Sequence, residues 1–176
     1  SMGIVIAVAS GKGGTGKPSA TGGVAAALAM AGQRVLCIDM DIGLRNLDIS
    51  LGLSDRALMD FSDVAEGRCP LVRAAVNHPD LPGLALLTAP MTLSPALTEE
   101  AVRRMLDTAR SLYDYVLIDS PAGLGAAFRM ACCGADRAIG LSTHGFSSLR
   151  DAQRSVGEVD FLRQIHLVMN RIQPKL

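Results

Sequence analysis

The 176-residue chain lacks several features that would point to particular functions. Lysine plus arginine number 17 and aspartate plus glutamate 17, and this formal net charge of 0 argues against binding to nucleic acid or anionic lipid through bulk charge. No apolar run approaches the roughly 18 residues of a membrane-spanning helix, and the N-terminus lacks the pattern of a secretory signal. The four cysteines have neither paired metal-ligand spacing nor the density of a disulfide scaffold. We therefore expect a soluble cytoplasmic domain that binds no nucleic acid.

Lysine is scarce in a way that singles out one segment. The chain has 14 arginines but only three lysines, and Lys12 and Lys17 both lie within the glycine-rich segment 11–17. Arginine supplies nearly all the generic surface charge, so two compact ammonium groups in one short segment indicate a chemical role there.

Strand-like and helix-like segments alternate along the chain. The strand-like segments are apolar runs without period-two alternation, typical of strands buried on both faces of a sheet: 3–9, 34–38, 84–88, 115–118, 137–142 and 165–169. The helical segments are 19–31, short pieces within 58–76, a helix capped by Thr98, 125–133 and 147–162, with 39–54 irregular. Right-handed crossovers then predict an α/β fold, a mostly parallel sheet with helices on both faces. We expect one domain over 3–176, C-terminally truncated, because strand 165–169 would otherwise be an open edge.

The glycine-rich segment has the pattern of a phosphate-binding loop. It matches G-x-x-x-x-G-K between a buried strand and a helix, the context that this motif requires. Glycines let successive backbone N–H groups converge on phosphate oxygens, and the following helix N-terminus adds positive potential. We expect Lys17 to reach the β- and γ-phosphates of ATP or ADP. The predicted nucleotide-binding residues of this loop are Gly11, Lys12, Gly13, Gly14, Thr15, Gly16 and Lys17.

Pro18 departs from the motif at the next position. A serine or threonine there would place its hydroxyl on Mg²⁺, whereas proline has neither a hydroxyl nor a backbone N–H for the phosphates. Proline also biases Lys17 away from helical dihedral angles. Ser19 lies one position late, and we do not assume that it substitutes, although Pro18 and Ser19 both belong to the predicted nucleotide-binding segment. We hypothesise that Mg²⁺-nucleotide binding is weakened and that hydrolysis is slow or absent.

Three aspartates fall at or just beyond the carboxyl ends of predicted strands, where open α/β sheets bind ligands. We expect Asp119 to hold Mg²⁺ through its water shell and Asp41 to orient an attacking water. For Asp39 we consider two roles equally: support of the Mg²⁺ site and a purely structural role.

These motifs together resemble the MinD/ParA family of P-loop ATPases. Lys12 with Lys17 resembles that family's deviant phosphate loop, and 119–123 (D-S-P-A-G) is similar to its switch II. The string D-M-D-I-G-L-R-N-L-D at 39–48 resembles switch I and favours the MinD branch. Segments 146–151 and 169–172 are similar to later parts of the family sequence.

The resemblance implies a P-loop NTPase fold and an ATPase of cell-division site selection. ATP binding would drive homodimerisation, with Lys12 reaching the nucleotide of the partner subunit. Lys12, Lys17 and Asp41 would be catalytic, Asp39 and Asp119 would serve Mg²⁺ through water, and Asn170 would contact the adenine. The implied partners are MinC- and MinE-type division regulators. Members lie at the inner face of the cell membrane through a C-terminal helix, which we expect this chain to lack.

Two alternatives stay open. Because of Pro18, the chain could instead be a nucleotide-poor protein-interaction module that keeps the fold. Cys132 and Cys133 invite an iron–sulfur interpretation, since relatives with this loop carry clusters. Adjacent helical residues point about 100° apart, so buried small hydrophobes are the favoured interpretation of this pair.

Overall fold

Strands and helices alternate along the part of the chain that the structure, a computed structural model, describes: residues 2–10, 20–42, 46–53, 59–120 and 126–141. The elements are β1 (Ile4–Ser10), α1 (Ala20–Met30), β2 (Val35–Asp39), α2 (Asn46–Ser50), α3 (Phe61–Ala65), α4 (Leu71–Ala74), β3 (Val76–Asn77), β4 (Leu84–Leu87), α5 (Glu99–Leu112), β5 (Tyr115–Ser120), α6 (Ala126–Cys132) and β6 (Arg137–Leu141). The predicted helix 147–162 and strand 165–169 lie outside the described residues.

The six strands form one sheet in the order β3-β4-β2-β5-β1-β6. Four of the five neighbouring pairs are parallel, and only β3, two residues long, runs antiparallel to β4. The prediction of a mostly parallel sheet is therefore confirmed. The central strands β2, β5 and β1 are parallel, so their carboxyl ends lie at the same edge of the sheet.

Helices cover both faces, as the apolar strand runs predict. Successive residues of a strand point to opposite faces, so Leu36 and Ile38 lie in one core cluster and Val35 and Cys37 in the other. The first cluster packs against α3, α4, α5 and α6, and the second against α1 and α2. Within the described ranges, no helix combines the length and hydropathy that a bilayer crossing requires.

The start of α5 confirms a local prediction. The Thr98 side chain accepts a hydrogen bond from the Ala101 N–H at 3.1 Å, satisfying one of the unpaired donors of the first turn. Glu99 and Glu100 lie in that turn, where the helix dipole favours negative charge.

Three details differ from the expectation. Helix α2 lies inside the stretch 39–54 that we expected to be irregular, because the fully buried Leu47 packs it onto the core. Strand β3 was not predicted, since two residues carry no periodicity. Strand β5 continues through Ser120, so Asp119 is the penultimate residue of the strand rather than a residue beyond it.

Candidate nucleotide and magnesium site

Two aspartates lie at the same level at the carboxyl edge of the sheet. Asp39 ends β2, and its register partner on β5 is Asp119. Asp119 also pairs with Val8 of β1, the strand that leads directly into the glycine-rich segment 11–17. Asp39 is fully buried and Asp119 is 6% exposed. The structure therefore brings together two predicted magnesium residues beside the start of the predicted phosphate loop.

Asp39 has one satisfied and one unsatisfied carboxylate oxygen. Its Oδ1 accepts a hydrogen bond from the backbone N–H of Asp41 at 2.9 Å. Its Oδ2 is buried and finds no hydrogen-bond partner within the described part of the chain. Burial, with smaller contributions from the charges of Asp119, Asp48 and Asp41, raises the pKa of Asp39 to about 7, against the lowering effect of the Asp41 N–H. Keeping this buried carboxylate ionised therefore costs free energy in the absence of a cation.

Asp119 is held by a side chain that the sequence did not single out. The Thr21 hydroxyl donates to Asp119 Oδ1 at 2.7 Å, and both residues are buried. Burial raises the pKa of Asp119 to about 6, the Asp41 charge adds to this effect, and the Thr21 hydrogen bond opposes it. Thr21 lies in the first turn of α1, three residues after Pro18.

The unpaired oxygen of Asp39 fits the water shell of a magnesium ion. The Ser120 hydroxyl is also buried without a hydrogen-bond partner among the described residues, but Ser120 follows Asp119 in β5 and so points to the opposite face of the sheet. Buried polar atoms are nearly always satisfied by protein, water or an ion, and Mg²⁺ prefers oxygen ligands and retains much of its water shell. The described ranges hold no group of three His, Cys, Asp or Glu residues arranged for direct metal ligation. Binding by Asp39 and Asp119 through metal-bound water stays a prediction.

Asp41 lies two residues after Asp39 at the end of β2, and its water-orienting role stays a prediction. Its backbone N–H bonds Asp39, its side chain is half-buried, and burial raises its pKa. The other predicted site residues lie outside the described residues: Gly11, Lys12, Gly13, Gly14, Thr15, Gly16, Lys17, Pro18, Ser19 and Asn170.

A second buried carboxylate supports the segment that follows β2. Asp48, on α2, has both oxygens within hydrogen-bond distance of the Thr88 hydroxyl, at 2.7 and 2.8 Å. Thr88 follows β4 and is fully buried. This pair ties α2 to the end of β4, and nothing in the spacing of the two residues along the sequence indicates it.

The two adjacent cysteines are partly buried, and Cys133 packs against the first core cluster. Cys133 Sγ lies 3.1 Å from the carbonyl oxygen of Met130, one turn earlier. Burial raises the pKa of Cys132 to about 11, which favours the thiol over the thiolate that binds metals. Both side chains are half-buried, not fully buried as the favoured interpretation expects, and the choice between small hydrophobes and cluster ligands stays a prediction.

Comparisons with known proteins identify relatives of this chain in sequence and in fold. The sequence matches the protein family described as "AAA domain" over residues 3–176. It is 40% identical over 178 residues to the septum site-determining protein MinD of Synechocystis sp., covering 99% of this chain and 67% of that protein. The fold matches the MinC:MinD cell division protein complex of Aquifex aeolicus with a TM-score of 0.73 at 38% identity, over 96% of this chain and 65% of that one.

A further solved relative contains a nucleotide. MinD of Pyrococcus horikoshii, complexed with Mg-ADP, matches with a TM-score of 0.66 at 28% identity, over 80% of this chain and 58% of that one. The chain therefore spans about two thirds or less of the length of each of these relatives.

Proposed function

Because this chain belongs to the MinD family of P-loop ATPases, we propose that it is an ATP-controlled switch of division-site selection. Residues 3–176 act as one domain in this proposal. ATP or ADP binds with Mg²⁺ at the segment 11–19, between β1 and α1. The Mg-ADP found with the Pyrococcus relative supports this choice of ligand.

The observation that carries the proposal is the buried edge formed by Asp39 and Asp119. Two carboxylates in register on adjacent strands, with Asp39 Oδ2 unsatisfied among the described residues, are expensive to bury without a cation. A module that had lost nucleotide binding would have no reason to keep this cost. The nucleotide-poor alternative is therefore not favoured, although Pro18 still distinguishes this chain.

The side chains have distinct tasks in the proposed reaction. Lys17 holds the β- and γ-phosphates, and Asp41 orients the attacking water. Lys12 reaches the nucleotide of the second subunit, and Asn170 contacts the adenine. Asp39 and Asp119 bind the water shell of Mg²⁺, which supplies charge neutralisation on the phosphates when bound. Because phosphoryl transfer asks little covalent chemistry of the protein, positioning and charge stabilisation account for the rate.

The partners belong to the same proposal. A MinC-type regulator is suggested by the Aquifex complex. ATP-dependent homodimerisation, MinE-type regulators and a cytoplasmic location with peripheral attachment at the membrane rest on the family resemblance. Membrane attachment in this proposal is the task of a C-terminal helix, as that resemblance implies.

Calorimetric titration with ATP and ADP, with and without Mg²⁺, tests the proposal. We expect saturable binding that Mg²⁺ strengthens, abolished by Lys17→Ala. Pro18→Thr should tighten Mg-ATP binding by about tenfold, equivalent to about 1.4 kcal/mol, and increase ATP-dependent dimerisation measured by light scattering. Failure of both the unchanged chain and Pro18→Thr to bind either nucleotide would overturn the proposal. Equal ATP affinity with and without Mg²⁺ would argue against the assigned metal site.

A further inference from the structure

The hydroxyl group missing at position 18 has a counterpart three residues later. In the phosphate-loop motif the residue after the lysine contributes a hydroxyl to the magnesium site, and here that residue is Pro18. Thr21 follows Pro18 by three residues and lies in the first turn of α1, where its side chain is fully buried.

The contact that Thr21 makes is specific to the magnesium residue of β5. Its Oγ1 donates to Asp119 Oδ1 at 2.7 Å, across 98 residues of sequence. A hydrogen bond from a hydroxyl to a carboxylate is charge-assisted, and burial excludes the water that would otherwise compete for the same oxygen. The bond uses one oxygen of the carboxylate, and Oδ2 takes no part in it. This bond favours one orientation of the Asp119 carboxylate in the ligand-free protein.

We propose that Thr21 is a positioning residue that compensates for Pro18, holding the Asp119 carboxylate in the orientation that the magnesium water shell requires. The inference deepens the proposed function and rests on it. In this proposal Thr21 acts through Asp119, because its hydroxyl donates to Oδ1 and so favours one orientation of that carboxylate. In this chain, the Mg²⁺ concentration needed for nucleotide binding should therefore depend on Thr21. That concentration should depend less on Thr21 once a hydroxyl is restored at position 18.

A structural role alone makes a different prediction. If Thr21 only satisfied a buried carboxylate, its loss would lower the stability of the fold without changing how much Mg²⁺ is needed. Thr88 offers the matched control, since it is also a fully buried threonine whose hydroxyl bonds a carboxylate, that of Asp48. Thr88→Val should lower stability and leave the magnesium requirement unchanged.

The experiment measures the Mg²⁺ concentration that gives half-maximal tightening of ADP binding. The variants are Thr21→Val, Thr21→Ser and Thr88→Val, each in the unchanged chain and with Pro18→Thr. We expect Thr21→Val to raise the midpoint about tenfold, the effect of losing one hydrogen bond to a charged group. Affinity for ADP in EDTA should change less than about twofold, since Thr21 acts through the metal residue. Thr21→Ser, which keeps the hydroxyl, should restore the midpoint.

Combining substitutions separates the outcomes. With Pro18→Thr present, Thr21→Val should raise the midpoint by less than about threefold, a non-additivity that identifies shared function. Three results would overturn the inference while leaving the proposed function intact. They are a midpoint unchanged by Thr21→Val, a midpoint that Thr21→Val raises equally in both backgrounds, and a midpoint that Thr88→Val also raises. Absence of ADP binding to the unchanged chain at every Mg²⁺ concentration would overturn the proposed function and the inference with it. Should Thr21→Val not fold, Thr21→Ala takes its place with the same expected midpoints.

Discussion

Asp39 and Asp119 are direct partners in the parallel register of β2 and β5, and both carboxyl groups are buried. Neighbouring strands lie about 4.8 Å apart, so two like charges would share one poorly solvated edge. Burial and this neighbourhood raise the pKa of Asp39 to about 7, and burial raises that of Asp119 to about 6. Between about pH 4 and pH 6, these two carboxyl groups are therefore protonated in the ligand-free folded protein, whereas in an unfolded chain they would be ionised.

Replacing Asp39 with asparagine should remove part of the pH dependence of stability. Below about pH 4 the carboxyl is protonated in both states. Between pH 4 and the folded pKa of about 7, the unfolded chain has lost this proton while the folded chain retains it, so rising pH destabilises the fold. We expect Asp39→Asn to gain about 1 to 3 kcal/mol relative to the parent between pH 4.5 and 7.5, measured by urea unfolding. The exposed Asp80→Asn is the control, and parallel profiles for Asp39→Asn and the parent would contradict the assignment.

Removing the Thr88 hydroxyl should destabilise the fold. Thr88→Val keeps the shape of the side chain but takes a donor from the buried Asp48 carboxylate, which costs about 1 to 3 kcal/mol. Thr88→Ser keeps the hydroxyl and should recover most of that loss. Denaturant unfolding of the two variants at pH 7 decides, and equal stabilities would show that the hydrogen bond contributes nothing.

Gly83→Ala should destabilise the protein more than the same change at Gly67. Both glycines have positive φ angles, +89° and +80°, so alanine at either costs about 1 kcal/mol of backbone strain. A Cβ on Gly83 would also lie 2.9 Å from the carbonyl oxygen of Gln33, whereas a Cβ on Gly67 meets nothing within 4 Å. We expect the Gly83 variant to lose about 1 to 3 kcal/mol more. Thermal unfolding measures the difference, and because Gly83 precedes β4 at the amino edge of the sheet, ADP affinity should not change.

Substitution of Lys17 should abolish nucleotide binding, whereas substitution of Lys12 should prevent dimerisation. Lys17→Ala removes the cation for the β- and γ-phosphates and should abolish ADP and ATP binding. Lys12→Ala should leave ADP affinity within about threefold, since Lys12 acts on the nucleotide of the second subunit, and should prevent the ATP-dependent increase in mass seen by light scattering. Retained dimerisation of Lys12→Ala would contradict the role assigned from the resemblance.

Much of the fold follows from the sequence because its signals are local. The apolar runs of β1, β2 and β5 have no period-two alternation, which is enough to place them in a sheet covered on both faces. The family prediction, based chiefly on the 39–48 string, is confirmed by the relatives. Helix α2 escaped prediction because five residues carry no helical period, and the packing of Leu47 onto the core stabilises it instead.

The carboxylates of the candidate site could be predicted from the sequence, but the side chains that hydrogen-bond to them could not. Strand ends of a parallel sheet converge at one edge, so Asp39 and Asp119 could be placed together from the sequence. The donor to Asp119 comes from Thr21, 98 residues earlier. Such a contact depends on how α1 lies against β5, which no sequence pattern encodes.

Interior strands fix the two aspartates in space. Strand β2 lies between β4 and β5, and β5 between β2 and β1, so main-chain hydrogen bonds hold each strand on both sides. Strands of this kind open only with the fold as a whole. If the chain works as proposed, this part of the sheet should keep its shape as nucleotide binds and leaves. A signal to the proposed second subunit would then travel through the segments that leave the strands, with the sheet as their stationary reference.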